Sequence, residues 1–197
     1  MRYPRTAVLR PGTPLLFLLL FVTSVAACGE ETPSFRGGPF EITITDVTDP
    51  CLDAALADLI APPATLPSPV NMPAYSQLPA PVDLDFHDPF EDVEGVQLEE
   101  DGAGGMRTAP GGFANSGVEL YPREPEKSCL VDFTVAVSVD LLEADSLGGG
   151  ALLTVTRTQG EDCPATFGPE PAGSCQEPVV IRYSGARFVP PAEPPGQ

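Results

Sequence analysis

The chain has 197 residues, with 28 Asp and Glu against 10 Lys and Arg, a net charge of −18, and 25 Pro, 19 Gly, five Cys, one His and no Trp. That length suits one domain with some extra segments, and so acidic a chain is not expected to bind nucleic acid, because phosphate contacts need clustered Lys and Arg. One His excludes any site with two imidazole ligands, and 22 of the Pro lie beyond residue 30, which argues against a helical bundle.

Residues 1–28 read MRYPRTAVLRPGTPLLFLLLFVTSVAAC. Arg2, Arg5 and Arg10 precede an apolar core, Leu15 to Val22, and small residues follow it. This is the three-part pattern of a secretory signal. The apolar stretch from Leu15 to Cys28 covers 14 residues, short of the roughly 20 that a spanning helix needs.

Val25-Ala26-Ala27-Cys28 resembles the lipobox of bacterial lipoproteins. The resemblance covers residues 1–28 only. It implies a signal peptide over 1–27, cleavage before Cys28, a diacylglyceryl group on the Cys28 thiol and, often, a further acyl chain on its new amino end. Gly29 stands where an Asp would imply retention in the inner membrane, so the resemblance points to the outer membrane. Each buried methylene contributes about 0.8 kcal/mol, so two or three chains on one Cys make attachment essentially permanent. Processing would leave 170 residues with 7 basic and 28 acidic groups, a net charge of −21. Anionic headgroups repel such a surface, so the expected membrane contact runs through the lipid on Cys28.

Cys51, Cys129, Cys163 and Cys175 form an even set in an exported chain, which reads as two disulfides. Three connectivities are open. The short Pro- and Gly-containing loop favours Cys163–Cys175, which leaves Cys51–Cys129. A zinc site is not expected, since no Cys-x-x-Cys occurs and His87 is distant in sequence.

Residues 28–39 read as a tether, and a single β-rich domain is expected over 40–188. Phe40, Ile42 and Ile44 alternate with Glu41, Thr43 and Thr45, the pattern of a half-buried strand. Asp49-Pro50 then predicts an N-cap and a first-turn Pro. Leu52, Ala55, Leu56, Leu59 and Ile60 follow at helical spacing, so one short helix is predicted from about Pro50 to Ile60. Residues 61–81 hold seven Pro and predict an extended, irregular covering segment.

Val82, Leu84 and Phe86 alternate with Asp83, Asp85 and His87, which predicts a further strand, and Val93, Val96 and Leu98 a weaker one. Turns are expected at 101–105 and 111–112, and a short strand at Val118 to Tyr121. The strongest strand signal is Cys129 to Leu141, where Val131, Phe133, Val135, Val137 and Val139 alternate with polar or small residues. At about 3.3 Å per residue it is long enough that it should bend. Gly148-Gly149-Gly150 is expected to pivot the chain into a returning strand at Ala151 to Thr158, and Val179, Ile181 and Tyr183 into a last one. The tail, 189–197, is expected to be disordered. The class is all-β: an antiparallel sandwich or small barrel with one short N-terminal helix, a Pro-rich connection and disulfides.

The acidic run Asp83, Asp85, Asp88, Glu91, Asp92 and Glu94 lacks the Asp-x-Asp-x-Asp-Gly spacing of a calcium loop. No Gly-x-Ser-x-Gly accompanies His87, and Asp101 to Met106 lacks the Lys and following helix of a phosphate loop. No catalytic, cofactor or metal residues are therefore assigned. The expectation is a lipid-anchored envelope component that binds an envelope protein or small ligand, or serves structurally. A carboxylate- or metal-dependent hydrolase is the enzymatic alternative. A lipocalin-like carrier is the third, and it requires an apolar cavity inside the sheet.

Overall fold

The computed structural model describes residues 35–86, 90–164 and 177–191, all within one compact unit, Thr32–Gln197. Ten strands form one antiparallel sheet: β1 Gly38–Thr48, β2 Ala64–Thr65, β3 Val70–Met72, β4 Ala80–Leu84, β5 Val93–Glu100, β6 Met106–Thr108, β7 Phe113–Glu119, β8 Leu130–Leu142, β9 Ser146–Gln159 and β10 Val179–Arg187. The order is β2-β1-β10-β9-β8-β6-β5-β4, with β3 added to β1 and β7 to β8. The sheet curls into a half-barrel, and the all-β antiparallel class read from the alternating patterns holds. Among the described residues one α-helix, α1, spans Ala55–Ile60.

The long hairpin β8–β9 forms the centre. Its residues alternate in and out as the sequence pattern requires, so Val131, Phe133, Val135 and Val139 are buried. Register shifts between Asp132 and Phe133 and between Val139 and Leu141 bend it. The Gly148–Gly150 run does not turn the chain. It lies inside β9, while Glu143 and Ser146 close the turn by a backbone bond of 2.9 Å. Tyr183 of β10 explains the Gly: its hydroxyl crosses β9 to donate to Ser138 O of β8 at 2.6 Å. A Cβ on Gly149 would meet that hydroxyl at 2.8 Å and Ser138 O at 2.0 Å.

The predicted cap works one turn early. Asp49 Oδ1 accepts from the Cys51 and Leu52 amides at 3.2 and 2.8 Å, and Oδ2 from the Leu56 amide at 2.9 Å. Asp53 and Ala54 then adopt positive φ of 51° and 67°, so the regular helix starts at Ala55 rather than Pro50. Packing reaches into the stretch 28–39 that was expected to be a tether. Phe35 is buried and stacks on Phe40, ring centroids 5.4 Å apart.

The Pro-rich segment 61–81 is more ordered than predicted. Its short apolar pieces add β2 and β3 to β1 through Thr43↔Thr65 and Phe40↔Val70. A 3-10 turn at Tyr75–Gln77 follows. Strand β3 also packs near β4, so the two ends of the curled sheet approach each other through it.

The expected disulfide connectivity is overturned. Cys129 bonds to Cys163, with Cα atoms 4.8 Å apart. The β8–β9 register pairs Leu130 with Gln159, which carries Cys129 to the far end of β9. Ser128 and Asp162 clasp there through bonds of 2.9 and 3.3 Å. Hairpin register, rather than closeness in sequence, selects the pair, and neither Cys163–Cys175 nor Cys51–Cys129 can form alongside it. Cys51 is itself disulfide-bonded, and its sulfur lies against the carbonyl of Glu177. Cys28, Cys175 and His87 fall outside the described residues, as do 165–176 and 192–197.

Candidate functional site: an apolar cavity inside the half-barrel

The apolar residues divide into two buried clusters. One gathers α1 against Phe133, Val155 and Val179. The other gathers Phe40, Val70, Met72 and Met106. Between them, drawing its walls from both, lies a cavity of ≈ 370 Å³. Interior positions of most strands face it, among them Ile42 of β1, Val82 of β4, Leu98 of β5, Val135 of β8, Leu153 of β9 and Ile181 of β10. The cavity is the direct product of alternation: the inward half of every strand is apolar, and a curled sheet cannot bring all those side chains into mutual contact.

The lining is almost wholly apolar. Its polar members among the described residues are Thr65, Asn115, Arg123 and Tyr183. The Tyr183 hydroxyl is spent on Ser138 O, and burial pushes the phenol well above its ordinary range. Asn115 sits on β7 opposite Phe133, just before the register shift towards Val118. Its Nδ2 donates to the Glu91 carbonyl at 3.1 Å. Arg123 follows β7 in the turn closed by Glu124 N–H to Tyr121 O at 3.0 Å.

The acidic run works locally. Asp83 accepts from the Gly95 amide at 2.8 Å, Asp92 from the Phe86 amide at 2.9 Å, and Asp85 from the Ser68 hydroxyl. These bonds fasten β4, β5 and the Pro-rich segment to one another. Among the described residues, no three His, Cys, Asp or Glu side chains converge as a metal site would need. Asp101 shapes the β5–β6 turn by accepting from the Ala103 and Gly105 amides at 2.6 and 2.8 Å, and those donors hold its carboxyl below the usual range. No helix among the described residues is long and apolar enough to cross a membrane.

The carrier expectation required an interior cavity without placing it in the chain, and it gave no role to Asn115 or Arg123. No local pattern marked them: Phe113-Ala114-Asn115 does not alternate apolar with polar, and the irregularity before Val118 shows only in the register and in the positive φ of Gly117. Comparison with protein-family models, curated proteins and solved structures gives no match to this chain.

Proposed function

We propose that the chain is an exported lipoprotein, held at a membrane through lipid on Cys28, whose half-barrel binds an apolar small molecule in its interior. The observation that carries the binding role is the cavity of ≈ 370 Å³ lined by inward-facing aliphatic and aromatic side chains. Packed interiors rarely hold voids much larger than a water, and small-molecule pockets run from about 300 to 1,000 Å³ with mostly apolar walls. A ligand that fills the space gains both dispersion contacts and burial of its own apolar surface. The lipobox pattern at Val25 to Cys28 supports the anchoring half of the reading.

The test uses the full chain carrying Cys28→Ala, kept free of detergent and membranes, and the neutral dye N-phenyl-1-naphthylamine. Saturable enhancement of dye emission is expected at one site per chain. Ala151 lies in the cavity wall and is 9% exposed. Ala151→Phe fills the space at an overpacking cost of about 1–3 kcal/mol and should abolish the signal while urea unfolding stays cooperative. Emission that never rises above that of free dye, or that is equal in both proteins, would overturn the binding role.

A further inference from the structure

A sheet that curls without closing keeps a seam between its two end strands. Here the strand order ends at β2 and β4, and among the described residues no register joins them. One end of the seam is shut. Strand β3 packs near β4, with Val70, Met72 and Val82 all buried, and the Ser68 hydroxyl donates to Asp85 from one side to the other. Elsewhere along the seam the side chains are apolar and only half-buried. They are Leu59, Ile60 and Leu66 from α1 and the residue after β2, and Leu84, Phe86 and Phe90 from β4 and the chain beyond it. All six line the cavity. The lining residues Val82, Leu98, Val139 and Leu147, by contrast, are 3, 4, 2 and 2% exposed and belong to the second buried cluster. The cavity therefore has a dry floor in that cluster and half-exposed apolar walls along the seam.

The polar groups of the described lining are engaged, enclosed or in water. Thr65 Oγ1 lies 3.0 Å from Thr43 Oγ1 in a hydrogen bond, and the Tyr183 hydroxyl is bonded to Ser138 O. Asn115 Nδ2 is bonded to the Glu91 carbonyl, and its Oδ1 is closed off from the cavity space. Arg123 is exposed. A polar group drawn to the floor would lose water and gain no partner there, which costs more than a methylene gains. The volume limits the apolar part. At about 30 Å³ for a water-sized group, ≈ 370 Å³ takes roughly a dozen such groups. That is one chain of medium length rather than the two long chains of a diacyl lipid.

We infer that the seam between β2 and β4 is the mouth of the cavity, and that the cavity takes the chain of a single-chain amphiphile, methyl end at the floor and head group in water at the seam. This deepens the binding role proposed above and rests on it. Selection then falls on the length of the chain and not on the chemistry of the head group.

The chain holds no Trp, so a single introduced Trp reports on its own surroundings. Phe86→Trp places one at the seam and Leu98→Trp one at the floor, each in the full Cys28→Ala chain. The probes are 12-bromododecanoate, 2-bromododecanoate and 12-bromododecanol, because bromine quenches indole emission on contact. The 12-bromo acid should quench the Leu98→Trp reporter more than the Phe86→Trp reporter, and the 2-bromo acid should reverse that order. In the chain without a reporter, octanol, decanol and dodecanol should displace the neutral dye, each added methylene tightening binding about fourfold. A difference above about tenfold between 12-bromododecanoate and 12-bromododecanol, the size of a buried hydrogen bond, overturns the inference whether or not the reporters fold. That comparison is made at about 0.15 M salt, where surface charge is screened. If Leu98→Trp does not fold, the Phe86→Trp reporter decides the mouth alone: quenching by the 12-bromo acid that equals or exceeds quenching by the 2-bromo acid overturns it. Failure of the dye itself to bind overturns the binding role and this inference together. Dye that binds but is not displaced by the alkanols overturns this inference alone.

Discussion

Arg187 joins three parts of the chain that are far apart in sequence. Its Nε donates to Ala144 O at 3.0 Å and Asp145 Oδ1 at 2.9 Å, and its Nη1 donates to Gly37 O at 3.0 Å. The guanidinium also lies 4.9 Å from the Phe40 ring centroid. These bonds hold the start of β1 against the β8–β9 turn, the end of the half-barrel where Phe35 docks. Partly shielded bonds from a charged donor are worth more than surface ion pairs, so Arg187→Met should lower unfolding free energy by about 2 kcal/mol. Urea denaturation measures this, and a loss under about 0.5 kcal/mol, the usual range for surface substitutions, would show that the bonds contribute little. Nothing in the sequence singled out Arg187, because its partners lie about 40 to 150 residues away and two of them are backbone carbonyls, which carry no residue identity. Asn115 was invisible for a related reason: its place in the cavity wall exists only once the fold has decided what surrounds it. Asp49, by contrast, was legible as a cap, since capping is a local bond between a side chain and the next few amides. Only the left-handed residues Asp53 and Ala54, which delay the helix, were not.

At the scale of elements, the β8–β9 hairpin organises the most. The hairpin's 13-residue first strand followed from period-two alternation, and its bends from its length, whereas only Ala151 to Thr158 of the 14-residue return strand was legible. Its turn did not follow. Three consecutive Gly normally mark a pivot, whereas here they run within β9, and Gly149 makes room for Tyr183 to reach Ser138 across it. The same hairpin explains the disulfide. Cys129 and Cys163 are 34 residues apart, and the loop-entropy argument assigns a closure of that length about 3–4 kcal/mol. Replacing both by Ser should lower stability by that amount in urea. With those two joined, the remaining pair of the even set is Cys51 with Cys175. Non-reducing peptide mapping is expected to find both links, and a Cys163–Cys175 peptide would refute the pairing. The Pro-rich segment shows the limit of composition. Seven Pro forbid a central strand, yet residues 64–65 and 70–72 are short enough to pair with β1 between them.

For the whole molecule, the proposed anchor and the described fold set a reach. Phe35 is buried, so on the proposed anchor the seven residues 28–34 can hold it at most about 25 Å from the lipid. On the proposed reading the acidic domain stays close to the membrane that holds it. Cys28→Ala should release the protein into the soluble fraction and abolish fatty-acid labelling, since anionic headgroups would repel a processed chain of net charge −21. Unchanged labelling would remove the lipid from Cys28. By itself, the sequence determined the acidity, the all-β class and the strongest strands, because each of these is written in composition or in a period of two. Only the tertiary structure decided the curl of the sheet, the partner of Cys129, the role of the Gly run, and the cavity with Asn115 and Arg123 in its wall. Those depend on register and on the closure of ten strands around a common interior, where residues distant in sequence meet and no local signal records the meeting.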